Sequence, residues 1–197
     1  MVEVEKREKV LILYSGGADS RLMLEMAKDL GLDIHCLLID YGQLHLKELV
    51  FAREQIRHIN CPVQVHEVSL DGLNLESALT GTGEQGVYGD KDKISIWHVP
   101  GRNSLFAGIA LSVAENNGCS VVWHGADFSD RLHLFPDCYQ DYVVAVADMY
   151  KFGASYLIRY EAPLMGMTKE VIMGLLNSRG ITQDQLHSGY GDITEKE

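Results

Sequence analysis

Apolar residues in this chain fall into short runs separated by longer stretches in which they recur every three or four positions. That alternation lays out the fold. Val10 to Leu13 is a buried-strand run, and Leu22, Met23, Met26, Ala27 and Leu30 take up helical spacing soon after it, with Gly31 placed to cap the helix C-terminus. Residues 34–39 read as a second strand, 46–59 as an amphipathic helix and 62–68 as a third strand. Between 69 and 98 the pattern fades, and Gly72, Gly81, Gly83, Gly86 and Gly89 punctuate a polar stretch. It is too long for an ordinary connection, which suggests a lid or interface arm, with a plain surface excursion as the alternative. Periodicity then returns as a helix over 104–117, a strand over 120–125, a helix over 142–152, an edge strand over 156–160 and a helix that Thr168 caps and that runs to 178. Strands alternating with helices predict an α/β fold, a doubly wound, Rossmann-like parallel sheet, in one domain over 1–197.

Bulk properties narrow the function classes. No stretch approaches the roughly 18 unbroken apolar residues of a membrane span, and the charged N-terminus, residues 1–9, does not resemble a secretory signal. Cys36, Cys61, Cys119 and Cys138 are scattered with no C-x-x-C pair, so they read as free thiols of a cytoplasmic protein. A net charge of −11 argues against direct binding to a nucleic-acid backbone but allows a small anion in a local positive pocket.

The clearest chemistry follows the first strand, in Ser15-Gly16-Gly17-Ala18-Asp19-Ser20. A glycine pair can take positive φ and leaves its N–H groups uncovered. With the amides of the first helical turn, Gly16 and Gly17 predict a nest for phosphate oxygens, to which Ser15 and Ser20 add hydroxyls. Asp19 suits a phosphate site only where Mg²⁺ lies between the two. The same residues also fit a plain turn with Asp19 or Ser20 as helix cap. No Gly-Lys-Ser/Thr follows, and the G-x-G-x-x-G spacing is absent, so neither a Walker A loop nor a dinucleotide fingerprint is present.

Other candidates stand at element ends. Asp40-Tyr41-Gly42-Gln43 closes the second strand, where open α/β sheets bind ligands, with Asp40 as a plain loop cap the alternative. Arg102 and Asn103 follow Val99-Pro100-Gly101 at a helix start, and Lys169 lies in the first turn of the last helix. A cation at a positive helix end is unfavourable on the dipole alone. Together the two placements predict a shared anion, with Arg102 a phosphate ligand or, alternatively, the partner of a surface carboxylate. His124, His133 and Cys138 match no zinc-ligand spacing.

Together, Ser15-Gly16-Gly17-Ala18-Asp19-Ser20, Asp40-Tyr41-Gly42-Gln43, Val99-Pro100-Gly101-Arg102-Asn103, Pro136-Asp137-Cys138 and Ala162-Pro163-Leu164 with Lys169 resemble the 7-cyano-7-deazaguanine synthases. These are PP-loop ATP pyrophosphatases of the adenine nucleotide α-hydrolase type. The resemblance implies ATP-dependent adenylation of 7-carboxy-7-deazaguanine and attack by ammonia, giving the amide and then the nitrile, with release of AMP and pyrophosphate. It implies that Ser15, Gly16, Gly17 and Ser20 hold pyrophosphate, that Asp19 holds Mg²⁺, and that Asp40 and Tyr41 lie by the nucleotide. Arg102 and Lys169 would neutralise the leaving group, with Gln43, Asn103, Asp130 and Asp137 toward the deazapurine. A homodimer is implied by the same analogy.

Three positions depart from the family pattern. The cluster of zinc-binding cysteines is missing, with Ser188 about where the first would fall, so no zinc site is expected. Tyr139 stands where the family has arginine, and Arg21 where a small hydroxyl residue is usual. The nucleotide half matches better than the substrate half, as in a shortened phage-borne or defence-associated relative. An enzyme that stops at the amide, another amine-coupling PP-loop ligase, and a catalytically silent nucleotide-binding subunit are the competing expectations.

Overall fold

The computed structural model describes residues 7–42, 47–70, 73, 99, 101–129 and 136–186. Chain order is β1 (Lys9–Leu13), α1 (Ala18–Asp29), β2 (Asp33–Asp40), α2 (Lys47–His58), β3 (Val63–Ser69), α3 (Arg102–Asn117), β4 (Val121–Trp123), α4 (Gln140–Gly153), β5 (Arg159–Glu161) and α5 (Lys169–Asn177). Short 3₁₀ turns lie at Pro136–Cys138 and Gln183–Gln185. The five strands form one sheet in the order β3-β2-β1-β4-β5, and each adjacent pair is parallel.

Parallel strands covered on both faces carry continuous apolar runs, and β1, β2 and β4 are buried along nearly their whole length. Alternate side chains divide the core. Val10, Ile12, Cys36 and Leu38 face α1, α2 and α5, where Leu22, Met23, Ala52, Ile56, Ile172 and Leu176 meet them. Leu11, Leu37 and Val122 face α3 and α4. On that side Ala107, Ala110 and Ala114 give α3 a small-residue face, and the Tyr150 hydroxyl of α4 donates to the Ala107 carbonyl at 2.6 Å.

α1 ends as expected, with Gly31 at φ 67° just beyond the cap residue Leu30. The Gly31 N–H donates to the Lys28 carbonyl and the Leu32 N–H to that of Ala27, the paired bonds of a Schellman motif. The strand order reverses between β1 and β4, which lie side by side at the centre. Their carboxyl ends deliver the loops at residues 14–17 and 124–127 to one switch point, the place where such sheets bind ligands. The expected lid at 69–98 lies almost wholly outside the described residues.

Candidate active site

The loop after β1 is folded around one hydroxyl. Ser20 Oγ accepts from the Gly16 N–H at 3.1 Å and the Ser15 N–H at 3.3 Å, and donates to the Gly17 carbonyl at 3.1 Å. Ser20 thus turns back into the loop rather than capping α1, whose N-cap is Gly17 with no side-chain cap bond. Of the glycine pair only Gly16 needs to be glycine on conformational grounds, with φ 83°, whereas Gly17 is extended at φ −75°. A Cβ on Gly16 would also come within 3.2 Å of Ala52 of α2. Behind the loop, buried Gln55 of α2 donates to the Gly16 carbonyl at 3.1 Å and the Gln185 carbonyl at 2.8 Å, and accepts from the Tyr14 hydroxyl at 2.5 Å. The loop is braced from behind, and its open side carries the uncapped first turn of α1.

At that open side three distant residues meet. Lys169, the first residue of α5, puts Nζ 2.6 Å from Asp19 Oδ2 and 2.5 Å from Asp127 Oδ2. The Asp127 side chain is 0 % exposed, against 23 % for Asp19 and 42 % for Lys169. Gly125 packs close by: a Cβ there would sit 3.3 Å from the terminal methyl of Met23 and 3.5 Å from Asp19, tight only against the flexible end of Met23. Beside Lys169 the structure thus places two carboxylates of the protein itself.

Arg102 resolves its dipole conflict differently. Its guanidinium lies 5.5 Å from the Tyr41 ring centre and 6.0 Å from that of Phe106, and donates to the Tyr41 hydroxyl at 3.4 Å. Such stacking is favourable for a planar cation. Burial raises the Tyr41 phenol, and Arg102 pulls it partly back, so Tyr41 stays a neutral hydroxyl. Asp40 turns its carboxylate onto the Gly42 N–H at 3.1 Å. Asn103 follows Arg102 in the first turn of α3, and Asp137 lies in the 3₁₀ turn before α4. Gln43 and Asp130 lie outside the described residues.

Beyond Arg102 is a buried polar group at the end of β4. The His124 ring is 5.8 Å from Tyr160 and 6.3 Å from Tyr142. Burial lowers the His124 pKa to about 4, with Asp137 opposing the shift and Arg102 adding to it. The imidazole is neutral at ordinary pH. Asp127, Gln55 and His124 were not singled out from the sequence as site residues. Asp127 did carry a signal, since a carboxylate two residues before a serine at a strand's carboxyl end is a loop-turning pattern. Among the described residues, no three or more His, Cys, Asp or Glu side chains are grouped to hold a metal.

A parallel sheet with a glycine–serine loop at its switch point, an uncapped helix start above it and a lysine over the loop's aspartate defines a nucleotide-phosphate-binding protein of the PP-loop class. The profile of the family described as "Queuosine biosynthesis protein QueC" matches residues 9–197, and the chain belongs to that family. A 7-cyano-7-deazaguanine synthase of Cyanothece sp. is 34% identical over 195 residues, covering 93% of this chain and 84% of the relative. One from Coxiella burnetii is 34% identical over 190 residues, covering 93% and 83%. The fold is shared with NMN synthetase of Francisella tularensis, at TM-score 0.57 and 17% identity over 92% of this chain and 66% of that one. It is shared too with a predicted subunit of tRNA methyltransferase from Methanocaldococcus jannaschii, at TM-score 0.55 and 17% identity over 93% and 94%.

Proposed function

We propose that this chain is an ATP-dependent ligase that makes 7-cyano-7-deazaguanine, the product for which its relatives are named. The observation that carries this is family membership along residues 9–197 together with the lysine of α5 seated on the PP-loop aspartate. A carboxylate is a poor electrophile until one oxygen becomes a leaving group. In the first step a carboxylate oxygen of 7-carboxy-7-deazaguanine attacks the α-phosphorus of ATP, and the bond to pyrophosphate breaks. Ammonia then adds to the acyl carbon and loses a proton while AMP departs, leaving the amide. Adenylation of the amide oxygen, loss of the two nitrogen protons and departure of a second AMP give the nitrile.

In this scheme Ser15, Gly16, Gly17 and Ser20 cradle the β,γ-phosphates, and Asp40 and Tyr41 border the nucleotide. Lys169 and Arg102 stabilise negative charge as pyrophosphate leaves. Asn103, Asp137, Gln43 and Asp130 face the deazapurine, whose N–H edge suits a carboxylate acceptor. The carboxylate of Asp19, partly exposed beside the loop, is a hard oxygen donor of the kind Mg²⁺ takes. Asp19 would hold Mg²⁺ there, and the ion would supply positive charge to the phosphates when bound. Residues 69–98 serve as the lid or interface arm, and the working unit is a homodimer, which sedimentation of the purified protein tests directly.

The deciding experiment incubates the protein with 7-carboxy-7-deazaguanine, ATP, Mg²⁺ and ammonium and follows AMP and each deazapurine by mass spectrometry. Nitrile is the expected product. Amide alone would limit the enzyme to the first amination, AMP without either product would point to another acceptor, and no AMP would overturn the scheme.

A further inference from the structure

Asp127 is the most deeply buried carboxylate at the site, and the loop around it is tied to one target. Its Oδ1 accepts from the Ser129 N–H at 2.6 Å, and its Oδ2 lies 2.5 Å from Lys169 Nζ. Ser129 Oγ accepts from the backbone N–H of the same lysine at 3.1 Å, and the Phe128 N–H donates to the Met167 carbonyl at 2.9 Å. Three consecutive residues after β4 therefore grip the start of α5 and its first side chain. Four torsions of a long, partly exposed lysine would otherwise leave its ammonium dispersed in solvent. Asp19 also reaches the ammonium, but in the proposed scheme it would hold Mg²⁺, whereas Asp127 is buried and fixed by the Ser129 N–H.

We propose that Asp127 is a positioning residue: it holds the Lys169 ammonium over the PP-loop, so that the charge is in place before pyrophosphate begins to leave. This rests on the catalytic role given to Lys169 under Proposed function. A fixed charge costs no reorganisation at the moment of reaction, which is the source of its catalytic value. Asp127→Asn keeps the shape and the bond from Ser129. It also turns an amide N–H₂ toward the ammonium, donor against donor, and the lysine is released.

The test is a double-mutant cycle on pyrophosphate release, with ATP affinity measured alongside. Asp127→Asn should slow release at least tenfold while the Kd for ATP changes less than threefold. Lys169→Met should slow it at least as much. The double variant should be no slower than Lys169→Met, because Asp127 acts through the lysine. Effects that multiply, or a wild-type rate in Asp127→Asn, would overturn the proposal. So would an unimpaired Lys169→Met, although the wild-type enzyme's own pyrophosphate release would still support the ligase reading.

A second readout does not depend on activity. Trace acetylation of the native protein, followed by peptide mass spectrometry, should label Lys169 severalfold faster in Asp127→Asn than in the wild type, with Lys28 and Lys151 unchanged as references. Equal labelling of Lys169 would overturn the positioning role even if no substrate turns over.

Discussion

At the scale of single residues, the loop's geometry separates what is needed from what is merely allowed. Gly16 combines positive φ with a Cβ position 3.2 Å from Ala52, whereas Gly17 has an ordinary extended backbone. A non-glycine residue in the left-handed region costs roughly 1–2 kcal/mol before any clash is counted. Gly16→Ala should therefore lower the unfolding midpoint in urea by an amount worth about 2 kcal/mol and weaken ATP binding tenfold or more. A wild-type midpoint and Kd would show that the loop tolerates the strain. Arg102 poses the opposite case, a side chain whose partners among the described residues are the Tyr41 and Phe106 rings and the Tyr41 hydroxyl. Those rings support its guanidinium, which makes no ion pair among the described residues. Arg102→Ala should cut the adenylation rate about a hundredfold and change the Kd for ATP only a fewfold; equal losses in both would make it a binding residue instead.

At the scale of elements, the legible and illegible parts divide by sequence distance. The strands and helices were readable because a period of two or 3.6 is written locally. Their ends were less so: α3 begins at Arg102 rather than 104, since Gly101 at φ 68° has already turned the chain, and β4 is only Val121–Trp123. The PP-loop was readable as a contiguous motif. Its supports were not, because Gln55 reaches Gly16 from a different helix and Asp127 reaches a lysine on another, pairings fixed only by packing. The charge conflict at two helix starts announced that partners existed, but not that one cation would find carboxylates and the other aromatic rings. Gln55 offers a test of the bracing. Replacing it with leucine strips partners from the Tyr14 hydroxyl and the Gly16 carbonyl, each buried polar loss costing about 1–3 kcal/mol. Gln55→Leu should destabilise the protein by about 2–4 kcal/mol in urea titration and loosen ATP binding with it. An unchanged unfolding midpoint would mean that α2 contributes no support to the loop.

At the scale of the whole molecule, the buried imidazole of His124 ties stability to pH. It sits among Tyr142 of α4, Tyr160 of β5, Arg102 of α3 and Asp137 of the 3₁₀ turn, and burial holds its pKa at about 4 against an ordinary value of 6.5. Between those two values the unfolded chain carries a proton that the folded chain refuses. Unfolding then takes up protons, so stability rises with pH across the window and falls as the medium is acidified from about 6.5 toward 4. A shift of this size corresponds to about 3 kcal/mol in all. Other groups titrate in the same range: His35 and His66 are also lowered by burial and act in the same direction. Acid also shrinks the net charge of −11, which relieves self-repulsion and acts the opposite way. The His124 share is isolated by comparison with His124→Gln, which leaves the other groups in place but cannot titrate. The stability advantage of the wild type over this variant should be greatest above pH 7 and should shrink by about 3 kcal/mol by pH 4, as measured by urea unfolding at several pH values. A difference that stays constant with pH would mean that His124 is protonated as readily in the folded chain as in the unfolded one, and that the pocket at the end of β4 is not the dry environment its burial describes.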